Sequence, residues 1–591
     1  MRSSRLRLAV LLAAACALVL AACGSSSNNN NNSSGGGGGG GGNSAQLTGG
    51  ADVAPSANAQ KGGTLNVVSA EGWEHLDPGQ SYFQIDYLVV NATQSPLYMF
   101  TPVSPKKPVA VSADGPPQIS ADGKTVTVKI KKGMKWSPPL NREITSADFK
   151  YAFERDFNPN VPNGYAGSYY PIVGADKSKG GPISGITTPD KYTIVFKLTK
   201  DYGATFAQAL TLPGSAPVPK EIAGPMDKKN PTPYDATPTK QAFSGPYMIK
   251  SYNAGRQIVM VRNPNWSAKL ENVRPAYADQ IVWKAGGDPN VLGRQTVAST
   301  NLLMADGPPA PVLKRIYQHN RKQLTSSTLG MYYISMNTQF GVFKNLNLRK
   351  AAAAIMDRQA YLLARGGKLV GSVATHFIPP EVSGYNESGG ANGFGQDYLK
   401  NPSGDIAVAQ KYMKAAGYPS GKYTGNQKIT IVGSNSDPGP KEMAIVADGL
   451  NKLGFKTDVK PVPQQTMYSK FCGYVKAHIT MCPTAGWIED FPDPYSMLYV
   501  PFNGHAIVPV NNVNWAVFND PQVNAAMDKA TAVTDPTARA KAWADVNKMI
   551  VDKIPAIPAV WSSNALVEGS QVHGVLDTFN NDWNLTWSSV K

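Results

Sequence analysis

The sequence predicts a multidomain α/β protein, and three observations carry that prediction. Its 591 residues exceed what one hydrophobic core can hold, so two or three domains are expected. Hydrophobic residues make up 42%, with 10 Trp, 26 Tyr and 18 Phe, which is enough for large cores and argues against a disordered body. Segments with a two-residue apolar period alternate with segments bearing helix-cap signatures, the pattern of α/β domains.

The chain opens with a targeting segment. Arg2, Arg5 and Arg7 precede an apolar run over residues 8–22, a secretory signal pattern too short for a comfortable membrane span. The run ends in Leu20-Ala21-Ala22-Cys23-Gly24, which resembles the bacterial lipobox. That resemblance implies cleavage of residues 1–22 and acylation of Cys23, which would hold the protein on the outer face of the cell membrane. Several acyl chains anchor stably where one does not. Residues 23–60 are rich in Asn, Gly and Ser and cannot pack a core, so they read as a tether with a reach of roughly 35 Å. Of the four cysteines, Cys16 leaves with the signal and Cys23 takes the lipid. Cys472 and Cys482 remain, and outside the cytoplasm such a pair favours a disulfide.

The net charge of +16 invites an anionic partner, but the Lys and Arg residues are scattered. No zinc-finger spacing, RNA-binding aromatic signature or basic helix occurs, so nucleic acid is not expected. A basic surface beside an anionic membrane or cell wall accounts for the charge.

Within the body, residues 124–131 alternate with Val126, Val128 and Ile130 on one face, and residues 191–198 do so with Ile194, Phe196 and Leu198. Both read as half-buried strands. Between them Thr145-Ser146-Ala147-Asp148 starts a helix, with Phe149, Phe153 and Phe157 recurring behind it. Residues 213–238, rich in Pro, read as loop and connection. Helices follow over residues 405–417 and 441–453, the second leading through Gly454 into a strand-like 455–462. Asp535-Pro536 starts a last helix that runs to about Lys553.

In this order the segments resemble family 5 of the bacterial extracellular solute-binding proteins, which includes dipeptide and oligopeptide receptors. The resemblance is carried by Gly62-Gly63-Thr64-Leu65 with Leu76-Asp77-Pro78, and by Lys132-Gly133-Met134-Lys135-Trp136 running on to Asp148. It continues in Phe243-Ser244-Gly245-Pro246-Tyr247, Arg262-Asn263-Pro264-Asn265-Trp266, Ile355-Met356-Asp357-Arg358 and Gly486-Trp487-Ile488-Glu489-Asp490-Phe491-Pro492-Asp493-Pro494.

The resemblance implies a type II, cluster C fold of the periplasmic-binding-protein kind, with two lobes around a hinged cleft. Residues 61–100, 240–328 and 562–591 would form the first lobe, 101–239 an extra subdomain of it, and 329–561 the second lobe. It further implies a monomeric importer receptor that hands short peptides to separate ABC permease and ATPase subunits. Asp490 matches the carboxylate that takes a peptide's α-ammonium. Gly486 would offer backbone groups, Trp487 would line the pocket, and Trp73 matches a position where the first lobe meets ligand. Arg349, Asp357 and Arg358 read as helix-surface or inter-helix charges. From this reading, Asp490→Asn weakens peptide binding and leaves the melting temperature of the empty protein almost unchanged.

An enzyme is the rival from another class, and the residues do not favour it. The six His (75, 319, 376, 478, 505 and 573) are dispersed without HExxH spacing, and no GxSxG elbow occurs. Ser104-Pro105-Lys106-Lys107 fits SxxK formally, but prolines flank it and no Ser-Asp-Asn follows. No metal and no cofactor is expected, since His and Cys do not cluster. The alternatives within binding are an oligosaccharide, a metal chelate or another small solute, or a receptor that senses peptides without transport.

Overall fold

The computed structural model describes residues 56–577 and 582–590. The signal segment, Cys23 and almost all of the tether lie outside the described residues, and so do the expectations that fall on them.

One sheet of 11 strands organises the body. From one edge the order is Thr457–Val462, Ile429–Ser434, Met481–Ile488, Leu324–Met336 and Ala556–Glu568. It continues through Leu302–Met304, Thr64–Ser69, Gln280–Ala285 and Gln257–Arg262 to Tyr247–Asn253, while Gly371–Val373 pairs off this path with Ala556–Glu568. The two middle strands, each 13 residues long, pair antiparallel along most of their length. The start of Leu324–Met336 lies level with the end of Ala556–Glu568, which also pairs with Leu302–Met304. Its later residues pair with Met481–Ile488. The two long strands thus run from one half of the sheet into the other.

Each half has parallel pairs at its centre. Thr64–Ser69 is parallel to both Gln280–Ala285 and Leu302–Met304, and Ile429–Ser434 is parallel to Thr457–Val462 and Met481–Ile488. Loops that follow neighbouring parallel strands leave the sheet at the same edge, where α/β proteins build ligand crevices. The first half buries Leu65, Val67, Ile281 and Trp283 in one core, and the second half buries Ile431, Val446 and Leu450 in another.

Local signals explain the helices. Ser146–Arg155 carries a capping box in which Thr145 and Asp148 satisfy each other's backbone N–H groups, and Phe149 and Phe153 are fully buried beneath it. The helix ends before Phe157, which is only half-buried. Asp405 caps Ile406–Ala415 through Val408 N (3.0 Å), and Asp535 caps Pro536–Lys553 through Ala538 N (2.8 Å). The four strands Gln118–Ile119, Thr125–Lys129, Thr193–Lys197 and Ile186–Asp190 form a separate sheet beside the Ser146–Arg155 helix.

Two expectations are corrected here. Residues 213–238 are more ordered than loop, because they hold the short helices Lys220–Met226 and Pro233–Ala236. Proline is well placed in the first turn of a helix, so a Pro-rich stretch can start helices even where it cannot continue them. Arg358, read as a helix-surface or inter-helix charge, is buried and donates to the carbonyls of Ala374 (2.5 Å) and Leu399. It joins the turn after Gly371–Val373 to the short helix Asp397–Lys400 and satisfies a buried carbonyl on each.

Candidate ligand-binding cleft

A cavity of about 260 Å³ lies at the strand edge just described, at the low end of ligand-pocket volumes. Glu71 reaches it from the loop after Thr64–Ser69, and Asp306 from the loop after Leu302–Met304. From the other half come Ser436 and Asp437 after Ile429–Ser434, and Asp490 after Met481–Ile488. Each of these residues follows the carboxyl end of its strand. The sheet order, more than any local motif, brings them together.

Asp490 lines the cavity, where Tyr165 Oη donates to its Oδ1 at 2.8 Å. Burial pushes the Asp490 carboxyl up to about 7, and the Tyr165 bond offsets part of that rise. Tyr165 belongs to the segment that packs with the four-stranded sheet, so this bond crosses the cleft. Other contacts also cross it: Gln465 Nε2 donates to the Gly72 carbonyl (2.9 Å), and Asn511 Nδ2 donates to the carbonyls of Gln80 (3.2 Å) and Pro162 (3.0 Å). Tyr202 and Tyr495 join their hydroxyls at 2.8 Å.

Gly486 and Trp487 line the same cavity. Gly486 sits opposite Tyr332 in the sheet, and a Cβ there would come within 2.8 Å of the Tyr332 ring. Glycine is therefore needed for this close approach. The Trp487 indole N–H donates to the Ser496 carbonyl (2.8 Å), which fixes the ring at the cavity wall 6.2 Å from Tyr165. Trp73 is elsewhere. It lies outside the cavity lining and packs edge-on against Trp283 at 5.3 Å and Tyr252 at 6.4 Å. Its large apolar surface goes into the core of the first half, and Glu71 takes the cleft edge in its place.

Cys472 and Cys482 are joined at 2.04 Å. The bridge ties the turn that carries Tyr468, itself a cavity residue, to the strand that carries Gly486 and Trp487. Closing a loop of this length stabilises a fold by about 2–3 kcal/mol. Urea unfolding of the Cys472→Ala/Cys482→Ala variant should show that loss, and an unchanged midpoint would mean the bridge is dispensable.

Sequence reasoning missed Tyr165, Glu71, Asp306 and Arg365. Arg365 ion-pairs with Glu442, and its guanidinium stacks 3.2 Å from the centre of the Tyr332 ring. Among the described residues no group of His, Cys, Asp or Glu is arranged to hold a metal, and no helix is long and apolar enough to cross a membrane.

Residues 107–507 match the family model of the bacterial extracellular solute-binding proteins, family 5 (Middle). The chain belongs to this family. Its two-lobe α/β fold is shared with solved relatives. The structure of Haemophilus influenzae OppA in complex with RPPGFSPFR superimposes with a TM-score of 0.74 at 18% identity, covering 90% of this chain and 100% of that one. Among curated proteins, heme-binding protein A of Haemophilus influenzae is 27% identical over 75% of this chain and 77% of its own. The periplasmic oligopeptide-binding protein OppA of Escherichia coli is 24% identical over 75% of this chain and 78% of its own. Members of the family are solute-binding proteins, and several relatives of this chain are named as oligopeptide- or dipeptide-binding proteins.

Proposed function

We propose that this family 5 protein captures short peptides in its interlobe cavity and delivers them to an ABC permease and its ATPase. The observation that carries the reading is Asp490, a carboxylate at the cavity wall whose burial makes an unpaired charge costly. A peptide α-ammonium supplies the missing counter-charge in a water-poor site, where a charge-assisted bond is strong. The peptide backbone would pair with the strand edge around Gly486, as an added strand does. The small cavity favours short ligands. Capture follows if both lobes contact the ligand, so that the closed form gains contacts that the open form lacks.

In this reading the lobes divide at residues 328/329 and 561/562, on the two long strands, and residues 101–239 are a subdomain of the first lobe. Signal cleavage and acylation at Cys23 would hold the protein outside the membrane, with residues 23–60 as a tether. Haem, named by one relative, suits the cavity less well. It would bring two carboxylates to a wall that already carries Glu71, Asp306 and Asp490.

Mass spectrometry of the small molecules released on denaturing the purified protein tests the reading. A set of peptide masses is expected. One recurrent non-peptide mass would overturn the peptide ligand and leave a receptor for another solute.

A further inference from the structure

The cavity runs against the charge of the whole chain. The protein carries +16, yet its cavity wall includes Glu71, Asp306, Asp437, Glu442, Asp490 and Asp582 against one basic side chain, Arg365. Arg365 is already engaged by Glu442 and by the Tyr332 ring. Glu71 and Asp306 make no ion pair among the described residues.

The two carboxyls are held together by the backbone. Asp306 Oδ2 accepts from the N–H groups of Ala70 (2.6 Å) and Glu71 (3.0 Å), which fixes Asp306 beside the start of the Glu71 side chain. Asp306 Oδ1 is buried with no partner, and so is Glu71 Oε1. Across the cleft, Ser436 and Asp437 line the same cavity, and Asp437 is paired with Lys441. Glu442, its side chain 1% exposed, also leaves Oε2 without a partner on this wall. An unpaired buried oxygen costs about 1–3 kcal/mol, which a cationic group placed in the cavity would relieve.

We propose that Glu71 and Asp306, faced by Ser436 and Asp437 from the other lobe, form a second cation subsite, so that the cleft selects short peptides bearing a Lys or Arg side chain besides the α-ammonium met by Asp490. The proposal rests on the peptide-receptor reading, and it names the ligand class within it. Burial pushes Asp306 up to about 7 and raises Glu71 as well, and the Glu71 carboxyl adds to the rise at Asp306. An ammonium or guanidinium group placed between them relieves both costs. Selectivity arises because a neutral side chain of the same length leaves the two oxygens unpaired.

The test is calorimetric titration of the purified protein with tripeptides that carry Lys or norleucine at the first, second or third position. At one position Lys should bind about 10- to 100-fold more tightly than norleucine, the range for a hydrogen bond to a charged group. In the Glu71→Gln/Asp306→Asn variant that ratio should fall to within about threefold of unity. Asn at 306 retains an oxygen for the Ala70 and Glu71 N–H groups, so the loop keeps its anchor. Equal binding of Lys and norleucine at every position, or a Lys preference that survives the double substitution, overturns the subsite.

If neither series binds, the peptide reading fails, and the subsite is judged without a peptide. Then 1,5-diaminopentane should raise the melting temperature of the parent more than pentylamine does, and the double variant should show no difference. No difference in the parent overturns the subsite on its own.

Discussion

Asp490→Asn is expected to weaken binding of a short peptide by a hundred- to several thousandfold, and to raise the stability of the empty protein at pH 8. The first effect follows from removing one partner of a buried, hydrogen-bonded charge pair, which costs about 3–5 kcal/mol. The second effect departs from the expectation drawn from sequence, in which the empty protein is indifferent to the change. Burial raises the Asp490 carboxyl from the usual 3.8 to about 7. Between those values the folded chain holds a proton that the unfolded chain has released, so stability falls as pH rises from about 4 to 7. At pH 8 the whole cost of charging Asp490 is present, and Asn removes it, a gain of roughly 2–4 kcal/mol. At pH 4 the gain is lost. Thermal unfolding at the two pH values, together with peptide titration, measures both effects. Parent-like affinity in the variant would remove Asp490 from the site. Parent-like stability at both pH values would mean that the carboxyl is hydrated in the empty protein.

The pH dependence of binding has its own sign. Below pH 7 Asp490 is protonated, and it must lose the proton before it can meet an ammonium group. Peptide affinity of the parent should therefore fall by about tenfold or more between pH 7 and pH 5.5. In Asp490→Asn this contribution disappears. Any dependence that remains in the variant belongs to Glu71 and Asp306, or to the peptide's own termini.

What the sequence revealed was mostly local. The Thr145 capping box, the Asp405 and Asp535 caps and the Val126/Val128 alternation depend on residues a few positions apart, and each holds in the structure. The stretch from Gly486 to Asp490 was legible because one short motif carries glycine, indole and carboxylate together. Tyr165, Glu71 and Asp306 were not legible, since they come from loops up to 419 residues from Asp490 and meet only through the strand order. One signal was available: an acidic residue just past the carboxyl end of a predicted parallel strand is a cleft candidate. Asp306 fits it two residues after Leu302–Met304, and Glu71 two residues after Thr64–Ser69. Trp73 shows the same limit from the other side. The motif places Trp73 next to the cleft segment, whereas its packing partner Trp283 lies 210 residues away and no local signal points to it.

Arg155→Met is expected to cost about 3–5 kcal/mol of stability. Arg155 ends the helix Ser146–Arg155 and is 1% exposed. Its guanidinium donates to both oxygens of Asp77 (2.7 and 2.9 Å) and both oxygens of Asp227 (2.9 and 3.0 Å). Asp77 comes from the Leu76-Asp77-Pro78 motif and Asp227 from just past the helix Lys220–Met226, so one side chain joins three distant segments. A fork of planar donors matches two carboxylates at once, which a single ammonium cannot do. Arg155→Lys should therefore recover only part of the loss. With Met, two buried carboxylates face each other without a cation, and burial already raises Asp156 next to them. Residues 79–87 follow directly from Asp77 and supply Tyr82, Phe83 and Tyr87 to the cavity wall, so loosening this knot should weaken ligand binding as well. Urea unfolding gives the stability change, and a midpoint within about 0.5 kcal/mol of the parent would show that the knot is not what holds these segments together. If stability falls while peptide affinity stays at the parent value, the coupling from Asp77 to the cleft is wrong, and the knot serves the fold alone.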